Sequence, residues 1–281
     1  MKGLTNIGNT CYFNACLQCL LQTPALSNYF ITNNFNGVCE FTTEYNKLIR
    51  AFWLNKNDEC VDTREIMRLF REKYTEFDNG EEHDAQECLL KILDIFHKST
   101  RHPKDLVEID NNEWKTKKSS FIKDLFFGQF CKEIVYNGGT STSHENFNAV
   151  MLTPKSKSDI VTLIADHNHD TVIEGYTDKI GRMHHVSVMT QQISHTPSIL
   201  TFCFTMYLRK YKTRLHEKIM INDTKYVLYA CCVHTGTVRG GHYCAYTKHK
   251  GEWWLKDDNT AIKQVPCLTD YFYFCMYKKV S

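Results

Sequence analysis

Gly3-Leu-Thr-Asn-Ile-Gly-Asn-Thr-Cys-Tyr-Phe-Asn-Ala-Cys-Leu-Gln18 places a cysteine where a helix is expected to begin. Asn9-Thr10 offers a cap, and Tyr12, Cys16, Leu17, Leu20 and Leu21 recur on one helical face until Thr23-Pro24 ends it. Cys11 is therefore expected at a helix N-terminus, where the partial positive charge of unpaired amides favours thiolate and should lower its pKa. A thiol that attacks an acyl bond also needs a base and donors for the developing oxyanion. A base is offered by Arg239-Gly-Gly-His-Tyr-Cys-Ala-Tyr246, which sets His242 in a strand pattern 231 positions after Cys11.

Working outward, the periodicity predicts a helix from Asp62 to Tyr74, with Ile66, Leu69 and Phe70 inward. A further helix is predicted from about Glu82 to His97, carrying Ala85, Cys88, Leu89, Ile92, Leu93 and Phe96 as an i, i+3, i+4, i+7 stripe. From about Phe126 the pattern changes to short β-prone pieces. Residues 137 to 195 carry polar and Gly punctuation with weak periodicity, read as a protruding β-rich subdomain. From Ser198 strands dominate. Leu200, Phe202, Phe204, Met206 and Leu208 share a face, and Tyr226 to Val233 is apolar enough to be central. Thr235 to Gly241 then reads as a long hairpin loop leading into His242, Glu252 to Lys256 as a further strand, and Asp257-Asp-Asn-Thr260 as its exit turn.

The 281 residues are enough for a sizeable core, and a formal net charge of +2 gives no field that would gather nucleic acid or an anionic membrane. No leader-like segment is visible at the start, and no apolar run approaches the ~18 residues of a membrane span. Thirteen cysteines lie scattered through apolar segments such as Tyr229-Ala-Cys-Cys-Val233, a pattern of reduced thiols expected in the cytoplasm or nucleus.

If the strand of His242 lies beside Trp253 to Lys256, Asp257 at the strand end can accept a hydrogen bond from the imidazole, fix its tautomer and leave the other nitrogen for Cys11. Taken singly, His242 reads more readily as a satisfied core histidine and Asp257-Asp258 as an ordinary acidic turn. A helix-capping Cys, a Gly-flanked strand His and an Asp-Asp turn in that order reverse the weighting. Asn6 is a candidate oxyanion donor; its other reading is that of a loop turn residue.

These runs closely resemble the ubiquitin-specific protease family of papain-like cysteine proteases. The resemblance is carried by the stretch from Gly3 to Gln18, by Thr23-Pro-Ala-Leu26, by Glu82-His-Asp-Ala-Gln-Glu-Cys-Leu89, and by Leu125-Phe-Phe-Gly128 and Pro197-Ser-Ile-Leu200. It is completed by Tyr229 to His234, Gly240 to Tyr246 and Trp253 to Asp258. It implies an α+β papain-like hand over 1–281, with a helical thumb at about 1–125, fingers at about 126–196 and a β palm at about 197–281. The palm is expected to draw strands from earlier segments. Carried over by position, Cys11 is the nucleophile, His242 the base and then acid, Asp257 the orienting carboxylate, Asn6 the oxyanion donor and Asp258 an auxiliary polar group.

The resemblance further implies a deubiquitinase acting after the C-terminal glycine of ubiquitin. Ubiquitin and ubiquitinated proteins would be its partners, with no cofactor, no nucleic acid, no membrane and a monomeric state. Asp84 and Glu87 would face the arginine-bearing ubiquitin tail, and Gly240, Gly241 and Tyr243 would border its channel. Gly240 and Gly241 could equally serve the turn, and Thr235 to Arg239 is a candidate gate over the channel. Alternatives are a protease for another ubiquitin-like modifier or for a viral-type polyprotein, and a catalytically inactive ubiquitin-binding module.

The chain departs from the family pattern at Glu82, where Gln is usual, at Cys88 and Lys256, where aromatics are common, and at Met206, where Arg is frequent. Cys131 and Ile134 stand where many members carry finger zinc ligands, so no metal site is expected there. Cys16 and Cys19 read as core, and His167, His169, His184 and His185 as solvated loop histidines.

Overall fold

The computed structural model describes residues 1–33, 35, 37–56, 59–101, 120–206, 209–237 and 240–280. Among the described residues, six α-helices occupy the N-terminal part: α1 (Cys11–Leu21), α2 (Pro24–Thr32), α3 (Glu40–Leu54), α4 (Arg64–Lys73), α5 (Ala85–Ser99) and α6 (Phe121–Phe126). α1 is buried on every side rather than along one stripe. Its buried amides donate in place, Gln18 Nε2 to the Lys2 carbonyl at 3.0 Å and Asn14 Nδ2 to the Leu4 and Thr5 carbonyls at 3.4 and 3.3 Å, while Gln18 Oε1, Asn14 Oδ1 and the Tyr12 hydroxyl are buried without a hydrogen-bond partner among the described residues.

Thr23-Pro24 ends α1 and also starts α2, because proline at the first helical position gives up an amide that has no intrahelical partner anyway. α3 was not picked out by periodicity, although Phe41, Tyr45, Leu48, Ile49 and Phe52 form its buried face. α4 lies within the stretch predicted for it, while α5 starts three residues after Glu82 and runs two residues past the predicted end at His97, with Asp84 just outside it as its N-cap.

The C-terminal part is built on a sheet whose order along its length is Thr260–Lys263, Glu252–Asp257, Gly240–His249, Thr224–Thr237, Phe272–Lys279, Ile199–Phe204 and Val150–Leu152. Lys218–Ile221 also pairs with Thr224–Thr237. The sheet separates two cores. Ala230, Cys232, Phe274 and Met276 point to the one shared with the helices, while Cys231, Val233, Cys275 and Tyr277 point to the other. Burial on both faces is why Tyr226 to Val233 reads as unbroken apolar sequence. Leu200, Phe202 and Phe204 enter the second core, with Met206 packed against it; Leu208 lies outside the described residues.

A separate four-stranded antiparallel sheet has the order Gly139–Phe147, Gly128–Tyr136, Met183–His195, Thr171–Thr177. Much of it faces solvent on both sides, with Thr142 to Asn146 exposed at every consecutive position, so no alternation is imposed on its sequence. α7 (Ile160–His167) follows the short edge strand Val150–Leu152.

The three cleft-forming segments are stapled through the N-terminus. Gly3 and Leu4 pair with Cys60 and Val61, and the Leu4 amide donates to the Asp258 carbonyl at 2.7 Å. A Cβ at Gly3 would collide with the backbone of Asn259, so only glycine lets the Asp258-Asn259 turn close over this strand. Lys256, buried to 1% exposure, donates to the Lys2 carbonyl at 3.2 Å, and its ammonium lies 5.5 Å and 5.8 Å from the ring centroids of Phe52 and Trp254. Lysine therefore stands among aromatics where the family often has one, and burial holds its pKa down at about 7.

Candidate active site

Cys11 is the first residue of α1 and 3% exposed. The loop leading to it turns through left-handed backbone at Gly8 (φ 105°) and Asn9 (φ 48°), and Asn9 Nδ2 ties it to the Gly80 carbonyl at 2.9 Å. Thr10 holds the N-cap position without capping the helix. Its hydroxyl instead accepts from the Ile7 amide at 3.2 Å and donates to Asn6 Oδ1 at 3.2 Å.

α1 packs against the strand Gly240–His249. On that strand His242 Nε2 lies 2.6 Å from Asp257 Oδ1, at the end of the neighbouring strand Glu252–Asp257. The Nε2–H donates to the carboxylate, which leaves Nδ1 as the free acceptor. The backbone amide of the next residue, Tyr243, faces the Cys11 sulfur and favours its thiolate form. Sulfur, imidazole and carboxylate are thus gathered at one end of the strand.

The thiol departs from expectation. Burial pushes the Cys11 pKa up; the Tyr243 amide pulls it back, Asp258 and Glu82 push it higher, and the Tyr12 amide lowers it again. Desolvation therefore outweighs the helix N-terminus, and the resting sulfur holds its proton more firmly than a solvated thiol.

Asp258 occupies a left-handed turn position (φ 44°) and organises two amides: Asn6 Nδ2 donates to its Oδ2 at 2.6 Å and Asn14 Nδ2 to its Oδ1 at 2.7 Å. Asn6 Oδ1 accepts from the Gly8 amide at 2.9 Å, so the orientation of its side-chain amide is set at both ends, with a second N–H remaining on Nδ2. Asn14 escaped the sequence reading; its place one turn beyond Cys11 on the same helix was the available signal. Asp258 Oδ2 is also 4.0 Å from His242 Nε2.

Asp84 caps α5, its Oδ1 accepting from the Gln86 amide at 2.6 Å and the Glu87 amide at 3.3 Å, and Glu87 stands exposed in the first turn. Glu82, read only as a departure, bridges to the histidine strand, its Oε2 accepting from the Gly241 amide at 2.8 Å. The two glycines differ. A Cβ at Gly241 would collide with the Thr235 carbonyl and come within 2.6 Å of the His234 ring, whereas one at Gly240 meets only Glu82 Oε2, at 3.7 Å. The Tyr243 ring is 5% exposed and packs against His234 and Tyr273, so what it offers Cys11 is its backbone amide. Of the candidate gate, Val238 and Arg239 lie outside the described residues.

Cys131 and Ile134 lie on the strand Gly128–Tyr136, and Cys16 and Cys19 are fully buried in α1. The four histidines are not all loop residues. His167 ends α7 and His184 and His185 lie in Met183–His195, where His184 Nε2 is 3.0 Å from Asp178 Oδ2; His169 follows α7 and is exposed.

A family model described as "Ubiquitin carboxyl-terminal hydrolase" matches residues 2–277. The chain is similar to ubiquitin carboxyl-terminal hydrolase 17-like protein C of Mus musculus, at 25% identity over 92% of this chain and 51% of that protein. It is likewise similar to ubiquitin carboxyl-terminal hydrolase 2 of Homo sapiens, at 25% identity over 100% of this chain and 55% of that protein. The chain thus spans about half the length of these curated relatives. Among solved structures it is similar to a chain of the SAGA DUB module bound to ubiquitin aldehyde, with a TM-score of 0.81 and 18% identity, covering 100% of this chain and 70% of that one. The same module bound to monoubiquitin gives a TM-score of 0.82 at 18% identity, covering 100% and 69%. These structural likenesses establish the fold, a papain-like α+β hand.

Proposed function

The chain belongs to the ubiquitin carboxyl-terminal hydrolase family, and from that premise we propose that it is a deubiquitinase, hydrolysing the bond after the C-terminal glycine of ubiquitin. Cys11 is the nucleophile in this reading. His242 Nδ1 takes its proton as the sulfur attacks the carbonyl, and the resulting oxyanion is met by the free N–H of Asn6 and by backbone amides near Cys11. His242 then protonates the leaving amine and activates the water that breaks the thioester, while Asp257 holds the ring and stabilises the imidazolium.

The single observation that carries this reading is the His242–Asp257 pair at 2.6 Å on the strand whose next amide faces the Cys11 sulfur. Asp84 and Glu87 supply anionic partners for the arginines of the ubiquitin tail. Ubiquitin and ubiquitinated proteins are the partners proposed, and thirteen free cysteines favour a reducing compartment such as the cytoplasm or nucleus.

A ubiquitin C-terminal fluorogenic substrate and an electrophilic ubiquitin probe test the proposal. Cys11→Ala is expected to lower turnover by roughly 10⁴-fold or more and to abolish probe labelling. Labelling that survives in Cys11→Ala would remove Cys11 from its role. Turnover of a parallel ubiquitin-like substrate but not of ubiquitin would replace the substrate.

A further inference from the structure

The register of the two strands flanking the proposed dyad brings a second sulfur into the cleft. Ala245 pairs with Lys256, so one step further Cys244 falls opposite Asp257, and strand periodicity puts Cys244 on the same face as His242. The ligating atoms of His242, Cys244 and Asp257 all lie within 4.8 Å of one another, the one such group of three among the described residues. We propose that His242, Cys244 and Asp257 form a binding site for a thiophilic divalent cation, of which zinc(II) is the type.

One imidazole nitrogen, one thiolate and one carboxylate is a donor set that suits zinc, leaving a fourth position for water. Tetrahedral coordination at about 2.0–2.3 Å asks for ligand separations of about 3.3–3.8 Å, so small side-chain adjustments complete the site. The Asp258 carboxylate, whose Oδ2 lies 4.0 Å from His242 Nε2, adds a further anionic group beside the three ligands. On coordination the Cys244 proton leaves to solvent and the ring proton moves from Nε2 to Nδ1. His242 can then no longer accept a proton from Cys11, so the bound cation would inhibit. Inhibition rests on the proposed roles of His242 and Asp257; binding does not.

The experiment titrates zinc chloride, followed by calorimetry, and cobalt(II) chloride, followed by absorption, into the full chain carrying Cys11→Ala, which removes the neighbouring sulfur. One equivalent is expected to bind, with a thiolate-to-cobalt charge-transfer band. Cys244→Ser should abolish that band and weaken zinc at least tenfold, while Asp257→Asn should weaken zinc and keep the band. An affinity and a band untouched by Cys244→Ser would overturn the site and place the metal on another cysteine. In the wild-type chain zinc should inhibit turnover of the ubiquitin substrate, with reversal by a chelator and resistance in Cys244→Ser. Absence of any ubiquitin turnover would count against the proposed function and leave the binding result standing.

Discussion

Glu82 and Cys11 are coupled through charge, and the coupling has a sign that kinetics can read. The Glu82 carboxylate is one of the charges that raise the Cys11 thiol, so Glu82→Gln lowers the thiol pKa and keeps an acceptor for the Gly241 amide. The acidic limb of the pH profile for kcat/KM on the fluorogenic substrate should move to lower pH; a profile that moves up or stays fixed would refute the coupling. The adjacent glycines separate in the same way. Gly241→Ala forces a methyl against the Thr235 carbonyl and should cost about 1–3 kcal/mol in a urea melt. Gly240→Ala, whose nearest neighbour is a carboxylate oxygen at 3.7 Å, should fold within ~0.5 kcal/mol of wild type. Equal losses at both sites would show that something other than this clash sets the need for glycine.

At the scale of elements, legibility followed burial. α5 could be read because it meets one core along a stripe of period 3.6, and the strand Thr224–Thr237 because burial on both faces leaves an unbroken apolar run. α3 has an equally regular buried face and was overlooked, and α2 was read as a break because its proline was taken only as a stop. The four-stranded sheet wrote little pattern into its sequence because water covers much of both faces. In the site, Cys11, His242 and Asp257 were legible as a spaced set, whereas Asn14 and Glu82 act through contacts 244 and 159 positions away that no local pattern encodes. Asp84 stands at the junction of element and site, and substitution can divide its roles. Asp84→Ala loses the cap of α5 and should destabilise by ~1 kcal/mol, whereas Asp84→Asn keeps a capping oxygen at a cost of a few tenths. If the charge also grips the ubiquitin tail, Asp84→Asn should raise KM for the ubiquitin substrate by about 10–100-fold while its melt shows only that small loss. An unaltered KM would leave Asp84 as a helix cap alone.

For the whole molecule, histidines that folding keeps neutral contribute to the loss of stability in acid. His97 accepts or shares a proton with Ser120 Oγ at 2.7 Å beside the Phe127 ring, and burial, with Arg101 next, holds its pKa down at about 4. His234 is 4% exposed, with the Lys210 ammonium against its Nδ1, and burial, then Lys210 and His242, hold it at about 4 as well. Both stand below an ordinary value of 6.5, so between pH 6.5 and 4 the unfolded chain binds more protons than the folded one. The sign follows: stability rises with pH through that window, is fully present above 6.5, and is lost as pH falls toward 4. Each histidine accounts for up to about 3 kcal/mol of the loss. One sits among the helices and the other in the large sheet, so acid should loosen both halves together rather than peel one away. Urea melts between pH 7 and 4 should show this decline as a single transition, and His97→Asn should flatten it by one histidine's share. A wild-type curve level across that range, or a variant curve of unchanged slope, would mean that these imidazoles titrate in the native protein as freely as in water.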